Sequence, residues 1–182
     1  MYKSVIPAAV AAVLLSVGSV ASAEEGMSHS GHYYAVAKLV SGMGDKVTHG
    51  VETLDGASSS GFGIDFGYAY GGPWGVELTY SSAKGDVTND LAVTEQATYT
   101  SMGLLGVYTH HLAHDISLVG KLGWMQESEK LAGNTRDDSG IAYVVGAEYG
   151  INEKLELVLE YEGTDIKSPK GNAVMAGIKY NY

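Results

Sequence analysis

Cysteine is absent from the 182-residue chain, which rules out a disulfide framework, a zinc-thiolate centre and a thiol nucleophile. Proline is scarce at three residues, and basic side chains are few: 11 Lys and Arg stand against 21 Asp and Glu. Nucleic-acid binding needs a basic face to displace counterions, so a net charge of −10 argues against it. Beyond residue 20 no run approaches the ~20 apolar residues of a membrane-spanning helix. Any later membrane crossing must therefore use strands. A mean hydropathy of zero fits that option, because alternating strands average apolar and polar residues out.

What is present begins with an export signal. Lys3 supplies a positive start, residues 5–20 form an apolar stretch, and Ala21-Ser22-Ala23 gives the small-x-small pattern read by signal peptidase. Residues 1–23 are expected to be a cleaved signal peptide and 24–31 a polar, flexible lead-in. Residues 32–182 are expected to form a single β-barrel domain. Lys3 is the one basic residue in the signal, so the remainder carries 10 basic against 21 acidic residues.

The remainder alternates with period two and holds most of the 25 glycines and 13 tyrosines. The pattern predicts eight strands: 32–41, 60–70, 73–83, 97–109, 115–126, 140–150, 153–163 and 172–182. Tight turns are expected at Gly71-Gly72, 112–114 and Ile151-Asn152, and longer polar loops at 42–59, 84–96, 127–139 and 164–171. Short turns on one side and longer loops on the other are the arrangement of outer-membrane barrels, with the turns periplasmic. The fold class is thus all-β, an eight-stranded antiparallel up-and-down transmembrane β-barrel.

The two faces of these strands differ sharply. One holds residues such as Phe62, Ile64, Phe66, Val76, Leu78, Leu104, Leu118, Leu122, Leu157, Leu159 and Ile178, with no charge. The other holds Lys38, Asp65, Glu77, Lys121, Glu148, Glu156, Glu160, Glu162 and Lys179, interleaved with glycines. A midplane Lys or Arg on the lipid face costs ~2–4 kcal/mol, so the charged face must point inward if the barrel lies in a membrane. A soluble, lipocalin-like barrel would invert the arrangement. Aromatic placement favours the membrane. Tyr33, Tyr70, Trp74, Tyr108, Tyr149, Tyr180 and Tyr182 gather at the short-turn ends, and Tyr80, Trp124, Tyr143 and Tyr161 toward the loops. Two such belts are what the two membrane interfaces select.

Several strings carry a family resemblance: Tyr34-Ala35-Val36-Ala37-Lys38-Leu39, Gly61-Phe62-Gly63-Ile64-Asp65-Phe66-Gly67-Tyr68 and Gly75-Val76-Glu77-Leu78-Thr79-Tyr80. In this order they resemble the OmpA/OmpX-type outer-membrane β-barrels, the group that includes opacity-related surface proteins. The resemblance runs from about Tyr33 to Tyr182 and implies a fold and an outer-membrane location more than an activity. It also implies that Gly177, Tyr180 and Tyr182 form the C-terminal signal for the barrel-assembly machinery, with Tyr182 where the family usually has Phe.

The inward charges are the candidate site. Lys38, Asp65, Glu77, Lys121, Glu148, Glu156, Glu160 and Lys179 are expected to form one buried ionic network that plugs a lumen just wide enough for side chains. The competing expectation is a narrow gated pore. A third is a lipid-modifying enzyme, which requires His, Ser and an acid near the outer leaflet. His110, His111 and His114 instead cluster at a periplasmic turn, and His29 and His32 flank the lead-in. No catalytic residue, metal site or cofactor is expected. The expected partners are outer-membrane lipid and lipopolysaccharide, the assembly machinery, and an unknown surface ligand held by the charged loops.

Overall fold

The computed structural model describes residues 31–49, 52–113 and 115–182. The proposed signal peptide and residues 24–30 of the lead-in lie outside the described residues. The strands are β1 (His32–Gly42), β2 (Lys46–His49), β3 (Glu52–Ala69), β4 (Trp74–Asn89), β5 (Thr94–His111), β6 (Ile116–Leu131), β7 (Asn134–Gly150), β8 (Leu155–Thr164) and β9 (Ala173–Asn181). Each pairs antiparallel with its neighbour, and β1 closes the sheet by pairing with both β3 and β9.

Nine strands make eight staves. β1 lies along residues 59–69 of β3, and β2 continues on the same edge along residues 52–55. The break at residues 43–45 contains Gly44 at φ 74, a left-handed conformation that glycine adopts without strain.

Three of the four expected long loops are mostly strand. The β4–β5 connection shrinks to residues 90–93 and the β6–β7 connection to residues 132–133. Residues 42–59 hold the last residue of β1, all of β2 and the first eight residues of β3. The β6–β7 turn places both central residues at positive φ, Ala132 at 51 and Gly133 at 81, as a two-residue hairpin turn requires. Polarity hid these extensions, because their outward residues face water rather than lipid. Only residues 165–172 remain a loop, and it folds inward: Ser168, Pro169 and Lys170 are buried. Its carbonyls accept backbone hydrogen bonds across the β1–β2 break, from Met43 to Asn172 (2.8 Å), Gly44 to Lys170 (3.0 Å) and Asp45 to Pro169 (3.0 Å).

The pleat keeps one parity along β4 while its side chains change character; on β3 a bulge between Gly56 and Ser59 shifts the parity, so that Leu54 and Asp65 both face inward. On β4 the outward residues run Trp74, Val76, Leu78, Tyr80, and then Ser82, Lys84, Asp86, Thr88. The inward ones run Glu77, Thr79, and then Ala83 and Val87. The same switch puts Val47, Leu54, Val87, Ala97 and Tyr99 into a small buried core inside the extracellular extension, with Leu131 packed against it.

Candidate functional site

The lumen is built from alternate residues of each stave, and three ionic clusters occupy it. In the central one, Lys121 Nζ lies 2.6 Å from both Glu77 Oε1 and Glu160 Oε1, and 3.9 Å from Asp65 Oδ2. Lys38 Nζ lies 2.6 Å from Asp65 Oδ2 and 3.0 Å from Glu160 Oε2. The Tyr34 hydroxyl donates to Glu77 Oε2 at 3.1 Å. Room for the Tyr34 ring comes from Gly67, where a Cβ would overlap the ring.

The second cluster lies toward the periplasmic end. Lys179 Nζ is 2.9 Å from Glu148 Oε2 and 2.9 Å from Glu156 Oε2, and Asn181 donates to Glu156 Oε1 at 3.1 Å. Lys179 also stands 4.7 Å from the centre of the Tyr34 ring, so Tyr34 joins this cluster to the central one. The expected single network is therefore two clusters bridged by a tyrosine, because Glu156 and Glu160 stand four positions apart on β8, with Val158 inward between them.

A third cluster lies toward the cell surface. Lys170, from the infolded loop, places Nζ 2.5 Å from Glu127 Oε2 and 3.6 Å from Glu162 Oε1, and donates to Ser101 Oγ at 3.2 Å. Burial pulls the Lys170 ammonium down, but the Glu127 and Glu162 carboxylates outweigh it and hold the group above the ordinary lysine value. Glu127 and Lys170 fall in the expected loops 127–139 and 164–171. Glu127 was findable, since it continues the inward parity of Lys121 and Met125 on β6. Lys170 had no periodic signal, because it reaches the lumen through a loop. One strand, β8, supplies a carboxylate to every cluster: Glu156, Glu160 and Glu162.

Apolar layers fill the space between. Leu105, Met125, Ala142 and Val144 pack with Ile166, and Val40 packs with Ala173 and Met175. Buried ions are tolerable only when paired, and these pairs together with the apolar layers occlude the lumen.

The girdle aromatics all project outward. Tyr33, Tyr70, Trp74, Tyr80, Tyr108, Trp124, Tyr143, Tyr149, Tyr180 and Tyr182 are exposed on the barrel wall. Tyr161 is half-buried and accepts a hydrogen bond from Asn172 at 2.7 Å. Two girdle contacts are edge-on ring pairs, Trp74–Tyr108 and Tyr180–Tyr182. Gly177 faces Lys38 across the β1–β9 ladder. At the periplasmic end, His111 Nδ1 is 2.8 Å from Ser117 Oγ and His110 is exposed; His114 lies outside the described residues.

A family model for the outer membrane protein beta-barrel domain matches residues 8–182. The chain belongs to this family. It is an integral protein of the bacterial outer membrane, its lumen plugged by a charged network. Among solved structures, it is similar to OprG of Pseudomonas aeruginosa, at 16% identity and a TM-score of 0.65 over 85% of this chain and 97% of that one. It is also similar to Ail, the attachment invasion locus protein of Yersinia pestis, bound to the heparin analogue sucrose octasulfate (19% identity, TM-score 0.56, 84% and 99% covered). Neisserial surface protein A gives 17% identity and a TM-score of 0.51, with 87% and 100% covered. At these identities the likeness shows the fold alone. A comparison with curated protein sequences finds no match.

Proposed function

We propose that this barrel neither conducts nor catalyses, and that its membrane staves anchor a rigid β-structured head at the cell surface. The observation that carries the reading is the stack of three ionic clusters along the lumen, the uppermost sealed by Lys170 of the infolded loop. Wide channels keep a water-filled lumen, whereas here the long side chains and the apolar layers between them meet across it. Among the described residues His32, His110 and His111 lie at the periplasmic end, away from the outer leaflet where lipid-modifying chemistry would need them, and His49, at the end of β2, is the one histidine in the head. Planar-bilayer recording tests the reading. Reconstituted protein is expected to leave the membrane silent, and discrete channels of stable conductance would overturn it.

The head also suggests its surroundings. Lys84, Thr98 and Lys130 face outward in one row across β4, β5 and β6, Lys84 opposite Thr98 and Thr98 opposite Lys130. Two strand spacings put the ammonium-bearing residues about 10 Å apart. A pair of cations just above the apolar band suits the phosphates of lipopolysaccharide. Gly177, Tyr180 and Tyr182 on the last stave are the residues through which the assembly machinery would take hold. Ail was solved with a heparin analogue, a polyanion. Here the head carries Asp45, Asp55, Asp86, Asp90, Glu95, Asp137 and Asp138 against Lys46, Lys84, Lys130 and Arg136, so a surface ligand of this protein is better matched by positive charge.

A further inference from the structure

The tips of β3 to β7 enclose a cup of about 410 Å3 that opens outward, walled by Leu54, Val87, Val93 and Leu131 and flanked by Glu129 and Arg136. That volume falls within the usual range of small-ligand sites. Glu129 is the unusual member. Only 7% of its surface is exposed, and among the described residues its carboxylate makes no side-chain hydrogen bond or ion pair, while the ion pairs beside it are Arg136–Asp138 and Lys170–Glu127. Arg136 is its direct cross-strand neighbour, yet the guanidinium turns instead to Asp138 at 3.5 Å. The nearest buried lysine, Lys170, is committed to Glu127 and Glu162. The Glu129 carboxylate lines the cup, so an uncharged ligand that displaces water there would bury an unpaired charge at a cost, whereas a ligand that brings a cation pairs with it.

The lining narrows the class. A divalent metal needs several oxygen ligands, and the cup offers one buried carboxylate among aliphatic walls. A simple anion meets Glu129 and, at the rim, the exposed Glu95. We infer that the cup binds a small amphiphilic primary amine, with its ammonium against Glu129 and its apolar body against Leu54, Val87 and Leu131. This deepens the surface-head reading by giving the head a ligand class. It can fail while the barrel remains silent in bilayer recording, so the two readings are separable.

The test uses the membrane-inserted protein in phosphatidylcholine nanodiscs, titrated with phenethylamine, 2-phenylethanol and 3-phenylpropionate and followed by amide NMR shifts. The amine is expected to shift Val87, Glu95 and Glu129 saturably and to bind at least about tenfold tighter than the alcohol or the acid, the scale of one charge-assisted contact. Glu129→Gln, nearly isosteric, should bring the amine to the level of the alcohol. Leu131→Trp, which fills the cup, should weaken amine and alcohol together. Equal affinity for the three probes, preference for the acid, indifference to both substitutions, or shifts confined to lipid-facing amides such as Leu104 and Leu157 would each overturn the proposal.

Discussion

Below Tyr80 the β4 stave turns Trp74, Val76 and Leu78 outward and Glu77 inward; above it the same stave turns Lys84 and Asp86 outward and Val87 inward. The pleat of β4 does not change between these two regions, and its pairing with β5 runs in one register throughout, while the ladder with β3 shifts once, at a bulge between Gly56 and Ser59. What changes is the solvent outside. In the membrane band the wall faces hydrocarbon, so apolar residues belong outside and the charges must find one another in the lumen. Above the band the wall faces water, and the arrangement becomes that of a soluble barrel with its own core of Val47, Leu54, Val87, Ala97 and Tyr99. One sheet is thus stabilised by opposite rules at its two ends, and the point of inversion marks the membrane surface.

The largest effect that bears on this comparison is expected in the lumen. Lys121→Met removes the cation shared by Glu77 and Glu160 and leaves Lys38 as the sole counter-charge for three carboxylates. Breaking a buried pair costs about 3–5 kcal/mol. Urea unfolding from lipid vesicles should register a loss of that order. A loss below about 1 kcal/mol would mean that the lumen is hydrated and the pairs weak.

A smaller effect separates the two outer walls. Leu157→Arg places a charge on the lipid face of β8, where the expected cost is ~2–4 kcal/mol by the same assay. The double change Lys84→Glu with Lys130→Glu alters charge on the outward wall of the head, and in phospholipid alone its effect should stay within about 0.5 kcal/mol. In vesicles containing lipopolysaccharide the native lysines should raise the melting temperature and the double variant should lose that gain. Equal behaviour of the two proteins with lipopolysaccharide would remove Lys84 and Lys130 from its contact surface.

How much of this was legible in the sequence follows from the same inversion. Alternation with lipid outside is conspicuous, because an uncharged row such as Phe62, Ile64 and Phe66 runs beside a charged one and ends in aromatic belts, and so the membrane staves could be placed closely. Alternation above the band survives in Ala83, Gly85 and Val87 against Lys84, Asp86 and Thr88, but a polar outward row resembles a loop. The extensions were therefore missed. The central ion pairs were readable, because Lys38, Asp65, Lys121 and Glu160 share a face and a depth. Lys170 was not, since its position depends on the path of the 165–172 loop, which backbone bonds to residues 43–45 determine and no periodicity announces. Glu129 was obscured for a related reason: it sat in what looked like a solvated loop, and its burial appears only once β6 continues to Leu131.

The inversion itself can be measured along one stave. Spin labels at outward positions 76, 80, 84 and 88 of β4, in protein reconstituted into phospholipid bilayers, report depth through their accessibility to oxygen, which concentrates in lipid, and to a water-soluble nickel chelate. The account predicts that 76 lies in hydrocarbon, that 80 falls at the interface, and that 84 and 88 respond to the nickel chelate alone. Oxygen-dominated relaxation at 84 and 88, or nickel-dominated relaxation at 76, would contradict it.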